Sequence, residues 1–256
     1  MVGTQEGIVL VRGEFLFPGT EDPVPILGAC AGCLERSRIR FQFWKGNDSL
    51  LHYTLVDWSS GARRTADLLG NVRGMWGRRR RSGEWIAASF LADFALGGYL
   101  EGAGRSMDES GRLDLREVGL RLAYNGRAFL GRETFSLVAT CNATGVLIEG
   151  RASEQEENLR MIREAVIDTW LATKPLFGWV GIGTRPGVEI PQVGAPLPEP
   201  RSGWLVFYPP DMASGAASRS RGSRKGMITR SLDDGSLVVE NPRNGPADPV
   251  RVEDGA

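Results

Sequence analysis

Few residues in this chain are suited to proton transfer. His52 is the single histidine, and histidine is the side chain whose ordinary pKa lets it exchange a proton near neutral pH. It stands in the strand-like stretch LLHYTLV, and the sequence contains no G-x-S-x-G nucleophile motif to accompany it. The sequence therefore favours a structural histidine within a strand over a catalytic one.

Two of the three cysteines form the motif CAGC. Cys30 and Cys33 have the spacing of half a metal site or of a redox pair. The sequence offers no second C-x-x-C and no pair of histidines, so we expect neither a metal centre nor a redox centre here. Cys141 alternates with apolar residues and is expected in the core.

Glycine-rich and acidic stretches give equally weak signals. The segment GWVGIGTRPG matches neither the dinucleotide-binding fingerprint nor the phosphate-binding loop. Asp108, Glu109 and Asp114 lack the regular spacing of a calcium loop. We therefore expect no catalytic residue, no cofactor and no bound metal, which means that the chain is predicted not to be an enzyme.

Four consecutive arginines, Arg78 to Arg81, are the most concentrated charge in the sequence. Clustered guanidinium groups make bidentate hydrogen bonds to phosphates, and their binding releases condensed counterions from nucleic acid. The chain as a whole has 31 basic and 31 acidic residues, so no overall positive field attracts it to phosphate. A basic loop at a helix end is the simpler interpretation, and a nucleic-acid-associated protein stays as the alternative function.

Length and composition indicate a globular protein without a membrane partner. The 256 residues suffice for one large domain, and no stretch approaches the roughly 20 apolar residues of a membrane-spanning helix. The N-terminal segment lacks the basic start of a secretory signal, and an odd number of cysteines suits a reducing compartment. These features predict a cytoplasmic protein.

The chain is expected to contain one domain with irregular ends. Residues 1–37 are predicted to be an irregular leader, because the prolines and acids of PGTEDPVP interrupt any periodicity. Residues 38–245 are predicted to form the domain itself, and residues 246–256 a disordered tail.

The first half of that domain is predicted to contain a hairpin and two helices. RIRFQFW and LLHYTLVDW alternate as paired strands do. A helix is expected to begin at Ser59 or Ser60 and to end near Arg73. A second helix is expected in EWIAASFLADFALGGYL, where Ile86 and Phe90 lie four residues apart.

The second half is predicted to contain more strands than helices. REVGLRLAYNG and ETFSLVATC should pair around an Asn125-Gly126 turn, with GVLIEG as a third strand. A helix should begin at Ser153 and end before Pro175. FGWVGIG and SGWLVFYPP are strand-like, MITRSLDDGSLVVE is a hairpin with Asp233-Asp234-Gly235 at its tip, and ASGAASRSRGSRKG is loop material. This order predicts the α+β class, with a largely antiparallel sheet packed by two or three helices.

From residue 58 to about residue 240, the pattern and order of these segments resemble the immunity protein 52 family of bacterial polymorphic-toxin systems. The segments that carry the resemblance are REVGLRLAYNG, FSLVATC with Asn142 and GVLIEG, the helix MIREAVIDTW, SGWLVFY and DDGSLVV. The resemblance implies a cytoplasmic, non-enzymatic protein that binds and neutralises a cognate toxin, of the nuclease type in many family members, and so protects the producing cell.

Such an inhibitor needs a protein interface rather than a reactive group. Interfaces of this kind bury about 1,600 Å² and depend on a few well-placed anchors. Because nuclease active sites are usually basic, acidic side chains on the inhibitor would speed association. The candidate toxin-binding residues are Asp233, Asp234, Glu157, Glu164 and Asp168. Trp170, Trp179 and Trp204 are expected in the core.

Overall fold

Nine strands and four helices make up the part of the chain that the computed structural model describes, namely residues 10–36, 39–46, 85–92, 117–129, 131–147, 152–183, 203–222 and 226–242. The strands are β1 (Leu10–Pro18), β2 (Ile39–Gly46), β3 (Trp85–Ala92), β4 (Glu117–Phe129), β5 (Arg132–Asn142), β6 (Phe177–Gly183), β7 (Leu205–Tyr208), β8 (Ile228–Ser231) and β9 (Leu237–Glu240). The helices are α1 (Pro23–Arg36), α2 (Ala143–Val146), α3 (Ala152–Thr173) and α4 (Pro210–Gly222).

All nine strands belong to one sheet in the order β2-β3-β4-β5-β1-β6-β7-β9-β8. Every neighbouring pair is antiparallel. The predicted α+β class with an antiparallel sheet is therefore confirmed.

Helices cover both faces of this sheet, and β1 shows how the two cores are divided. Successive side chains of a strand point to opposite faces, so Phe15 and Phe17 join the core beneath α1 and α3, which pack on each other. Leu16 points the other way and joins a second core that Ala216 of α4 covers. The sheet is thus the middle layer between helices.

The prediction of an irregular leader over residues 1–37 is wrong for residues 10–36. β1 occupies the centre of the sheet, paired with β5 along its whole length and with β6 on its other side. The backbone N–H of Val24 donates to Asp22 Oδ1 at 3.0 Å, so Asp22 caps α1 and Pro23 takes the first helical position, where a missing N–H costs nothing. Pro23, one of the prolines predicted to interrupt regular structure, therefore marks the start of a helix.

The helix predicted in EWIAASFLADFALGGYL is also wrong over residues 85–92, which form β3. A spacing of four residues, as between Ile86 and Phe90, is an even number and fits the two-residue period of a strand as well as a helical face. Pairing with β2 on one side and β4 on the other decides for the strand.

The β4–β5 pair is confirmed, but its turn is not where the sequence placed it. β4 continues through Asn125-Gly126, where the register shifts as in a bulge, and the chain reverses at Gly131, whose φ is 73°. A bulge inserts an extra residue without ending the pairing. The predicted third strand GVLIEG is wrong over its first residues, because Gly145 and Val146 belong to α2.

A helix replaces residues 213–222 of the loop predicted for residues 213–226. α4 extends from Pro210 to Gly222, although serine and glycine are poor helix formers. Ala216 is fully buried in the second core, with Met212, Ala213 and Ala217 partly buried beside it. Tertiary packing therefore outweighs the weak local propensity of this segment.

The long helix and the late hairpin are as predicted. α3 runs from Ala152 to Thr173 just before Pro175, and β8 and β9 pair around the Asp233-Asp234-Gly235 tip. Trp170, Trp179 and Trp204 are buried in the core. The segment LLHYTLVDW, the helix expected over residues 59–73 and the predicted tail lie outside the described residues.

Candidate functional site

The β8–β9 hairpin carries two of the predicted toxin-binding residues at its tip. Leu232 N donates to Ser236 O at 2.9 Å, and Gly235 N donates to Leu232 O at 3.0 Å. Gly235 has a φ of 83°, which is the left-handed conformation of a type I turn followed by a glycine bulge. This geometry leaves Asp233 exposed at the outer corner of the turn.

Asp234, in contrast, is bonded to its own hairpin. Its Oδ1 accepts hydrogen bonds from the Ser236 backbone N at 3.0 Å and from Ser236 Oγ at 2.5 Å. Ser236 Oγ in turn accepts from Trp170 Nε1 at 2.8 Å. The tip is thereby tied to a buried tryptophan of α3, and one of its two carboxylates serves the turn.

Two acidic residues of α3 are paired with a neighbour on the same helix. Arg160 donates to both carboxylate oxygens of Glu157 at 2.7 and 2.8 Å, and to Glu164 Oε1 at 2.7 Å. Hydrogen bonds to Glu157 and then to Glu164 raise the pKa of Arg160 above its ordinary value. The three side chains form an exposed i, i+3 and i+4 network, in which Arg160 balances only one of the two negative charges.

Asp168 does not share the hairpin surface. A residue two positions before Trp170 is rotated by about 200° around the helix axis, which turns Asp168 away from Ser236. Burial raises the pKa of the Cys33 thiol on α1, Arg36 lowers it, and the negative charge of Asp168 raises it further. Asp168 is thus half-buried beside α1. Of the five candidates, Asp233 and Asp234 lie together at the hairpin tip, and Glu157 and Glu164 share Arg160 on α3.

The thiols of the CAGC motif lie inside the protein. Cys30 and Cys33 are free cysteines, both buried, on the side of α1 that faces α3. Burial first, and then the neighbouring Cys33, raise the pKa of Cys30 to about 12, and Arg36 Nη2 donates to Cys33 Sγ at 3.1 Å. A thiol with so high a pKa stays protonated and is a poor nucleophile. Cys141 is buried in the core, as predicted.

A buried carboxylate on β1 was missed because its segment was predicted to be irregular. Glu14 accepts from Ser136 Oγ of β5 at 2.6 Å and from Arg12 Nη2 at 3.1 Å. The Arg12 guanidinium also lies 5.8 Å from the Trp179 ring centroid. Glu14 is therefore a paired charge that links the central strands. The alternation of apolar and polar residues in LVRGEFLF is the sequence signal that could have predicted a strand here.

The exposed strand β8 was also missed as a functional feature. It ends the described sheet on one side, and all four of its residues are exposed, with Ile228 at 55%. A strand at a sheet edge leaves backbone N–H and C=O groups available for another chain. Sequence patterning identifies the hairpin but does not say which strand will be outermost.

Other expected features are described only in part. His52 and Arg78 to Arg81 lie outside the described residues, so the nucleic-acid alternative stays a prediction. Within the described ranges, no cluster of three His, Cys, Asp or Glu side chains could hold a metal ion. The helices in that same part of the chain include none that is long and apolar enough to cross a membrane.

Comparison with known proteins gives a structural neighbour of low sequence identity. No protein-family model matches the chain, and no curated protein sequence matches it, so the resemblance to the immunity protein 52 family stays a prediction. A solved structure, "Pseudomonas aeruginosa T6SS protein PA0821", is similar with a TM-score of 0.47 and 11% identity. The match covers 91% of this chain and 66% of that one. A likeness of this size carries no argument about function.

Proposed function

We propose that this chain is an immunity protein that acts in the cytoplasm, where it binds a cognate bacterial toxin of the nuclease type and neutralises it without a catalytic step. The observation that carries the proposal is the acidic hairpin tip. Asp233 is exposed there, while Asp234, Ser236 and Trp170 fix the backbone that presents it.

A fixed carboxylate at an exposed corner suits recognition of a basic protein surface. Binding costs less when the contacting loop is already ordered, because less conformational freedom is lost on association. A complementary charge also steers the encounter and raises the association rate, an effect that salt weakens. Both properties are useful in an inhibitor that must reach a toxin before the toxin reaches nucleic acid.

Co-expression tests the function as a whole. The chain is produced together with the toxin candidate encoded beside its gene, and survival and complex formation are measured. Rescue together with a stoichiometric complex is expected. A neighbour that is toxic, is not neutralised and forms no complex would contradict the proposal for this pair.

Charge reversal tests the tip itself. Asp233→Lys is expected to lower the association rate with that toxin about tenfold at low salt, because the carboxylate that attracts a basic surface is replaced by an ammonium group. The rate is measured by surface plasmon resonance or stopped-flow fluorescence at two salt concentrations, and the difference between variant and wild type should shrink at the higher one.

Glu156→Lys is the matched control for this variant. Glu156 is an exposed residue of α3 that lies fourteen positions before Trp170, about 21 Å along the helix axis from the hairpin. The substitution Glu156→Lys changes the net charge by the same amount as Asp233→Lys, but far from the hairpin tip. Equal effects of the two substitutions would show a general charge effect and remove Asp233 from the interface.

A further inference from the structure

The exposed strand β8, at the edge of the sheet formed by the described residues, provides a way of binding that the acidic tip alone does not. We propose that β8 takes up an extended segment of the toxin as an additional strand, so that recognition combines main-chain pairing at this edge with the charge of the neighbouring tip. This inference rests on the proposed immunity function and names the surface and the form of the partner.

The main-chain groups available on β8 follow from the hairpin register. Leu232 N donates to Ser236 O, and Leu232 therefore points its backbone groups toward the opposite strand. Hydrogen-bonded and non-hydrogen-bonded residues alternate along an antiparallel pair, and the β8–β9 register has no shift. Ile228 and Arg230 therefore bond to β9, while the N–H and C=O groups of Thr229 and Ser231 point outward.

The side chains of β8 are arranged relative to α3, which lies along β9. Arg163 donates to Glu240 Oε1 at 2.7 Å, and Trp170 donates to Ser236 Oγ at 2.8 Å. The helix therefore runs antiparallel to β9 on one face of the sheet. Glu240 contacts α3 and is the register partner of Ile228, which places Ile228 on that same face.

Arg230 is two residues along β8 and shares this face with Ile228. On the face beside α3, the edge therefore presents the apolar side chain of Ile228 and the basic side chain of Arg230, and the tip adds the carboxylate of Asp233. A complementary segment is an extended strand with an apolar residue next to Ile228 and an acidic residue next to Arg230, followed or preceded by a basic residue that reaches Asp233. Opposite charges on neighbouring strands stabilise the pair, and like charges destabilise it.

A second copy of this chain fits the edge less well. In a two-fold antiparallel pairing, the outward groups of Thr229 must meet either Ser231 or Thr229 of the other copy. The first register sets Arg230 directly opposite Arg230 of the second copy, which is unfavourable. The second register lets only residues 228–230 of each strand overlap. The observations therefore favour a segment of a different protein.

Proline substitution tests the main-chain pairing. Thr229→Pro removes an outward N–H and leaves the bonds between β8 and β9 in place, which is the strand position where proline is tolerated. We expect its affinity for the neighbour-encoded toxin, measured by isothermal titration calorimetry, to fall about tenfold or more, equivalent to about 1.4 kcal/mol. Ala152→Pro is the matched control, since α3 begins at that exposed residue and proline fits a first helical position.

The outcomes separate this inference from the proposed function. If a folded Thr229→Pro variant binds the toxin with wild-type affinity, strand addition is overturned and the immunity function is not affected. An equal loss in Thr229→Ala, which keeps the N–H, would assign the effect to the side chain and also overturn it. Absence of wild-type binding and rescue would instead contradict the immunity function for this pair.

Amide hydrogen exchange decides the question if the proline variant does not fold. In the wild-type complex, the N–H groups of Thr229 and Ser231 are expected to exchange at least about tenfold more slowly than in the free protein. Ile228 and Arg230, already bonded to β9, should change less. Unchanged exchange at Thr229 and Ser231 would overturn the proposal, as would protection of these groups by self-association of the free chain at the same concentration.

Discussion

Adjacent residues of the hairpin tip differ in role although their side chains are chemically identical. Asp234 accepts two hydrogen bonds from Ser236, and its carboxylate stabilises the turn as aspartates commonly do. Asp233 precedes it at the outer corner and is exposed. Because the turn holds Oδ1 of Asp234, the interface proposal depends mainly on Asp233.

Gly178 is required by a close side-chain approach. It lies directly opposite Phe15 in the β1–β6 register, and a Cβ at this position would stand 2.3 Å from Phe15 Cδ1. The Phe15 ring has little room to move, because its edge contacts Trp170 and Phe207 with centroid distances of 5.8 and 5.6 Å. The absence of a Cβ at Gly178 therefore leaves room for the cluster of Phe15, Trp170 and Phe207.

Replacing that glycine should destabilise the fold. Gly178→Ala is expected to lower the free energy of unfolding by about 1–3 kcal/mol, the usual cost of overpacking a core, measured by urea denaturation. Gly13→Ala is the control, because its Cβ would meet Val180 Cγ2 at an ordinary 3.5 Å and alanine restricts the unfolded chain. A similar loss in both variants would contradict the steric explanation.

At the scale of elements, α3 and the β8–β9 hairpin are joined by two polar contacts at opposite ends of β9. Trp170 bonds to Ser236 at one end. Arg163 bonds to Glu240 at the other, where its guanidinium also lies 5.4 Å from the Trp204 ring centroid. Both contacts are at least partly buried, so they fix the orientation of the hairpin relative to the helix.

Loss of the Ser236 hydroxyl should weaken this connection. Ser236→Ala leaves the buried Trp170 N–H without its acceptor, which is expected to lower the free energy of unfolding by about 1–3 kcal/mol. Thermal and urea unfolding measure the change. Ser218→Ala removes an exposed hydroxyl that donates to Ser214 O and should stay within about 0.5 kcal/mol of wild type. A neutral Ser236→Ala would contradict the structural role of the hydroxyl.

At the scale of the whole molecule, the most N-terminal described strand is the central one. β1 lies between β5 and β6 and contributes Phe15, Leu16 and Phe17 to the cores on both faces. The chain therefore closes its sheet by pairing β1 with strands more than 100 residues later. Such long-range pairing can form only after much of the chain is available.

Removal of the predicted leader should consequently abolish folding. A chain that starts at residue 38 lacks β1 and α1, and we expect it to show no cooperative thermal unfolding. The free energy of unfolding of a domain is small, and loss of the central strand should remove more than all of it. Circular dichroism and dispersion of amide NMR signals measure this outcome. A chain that ends at residue 245, without the predicted tail, is the control and should unfold cooperatively. A folded chain lacking residues 1–37 would contradict the central role of β1.

The sequence by itself determined those features that depend on neighbouring residues. The hydrophobic stripe with Pro175 after it predicts α3, the Asp233-Asp234-Gly235 turn predicts the late hairpin, and strand alternation predicts the β4–β5 pair. These follow from helical periodicity, turn preferences and strand alternation, which act over a few residues. The α+β class follows from the order of such elements.

Only the tertiary structure decided where the elements lie and what their exposed groups can do. β3 is a strand because β2 and β4 pair with it, α4 is a helix because Ala216 is buried against the sheet, and β1 is central although prolines follow it. The edge position of β8 and the separation of Asp168 from Asp233 arise in the same way. Each depends on contacts between residues distant along the chain, which local sequence preferences do not specify.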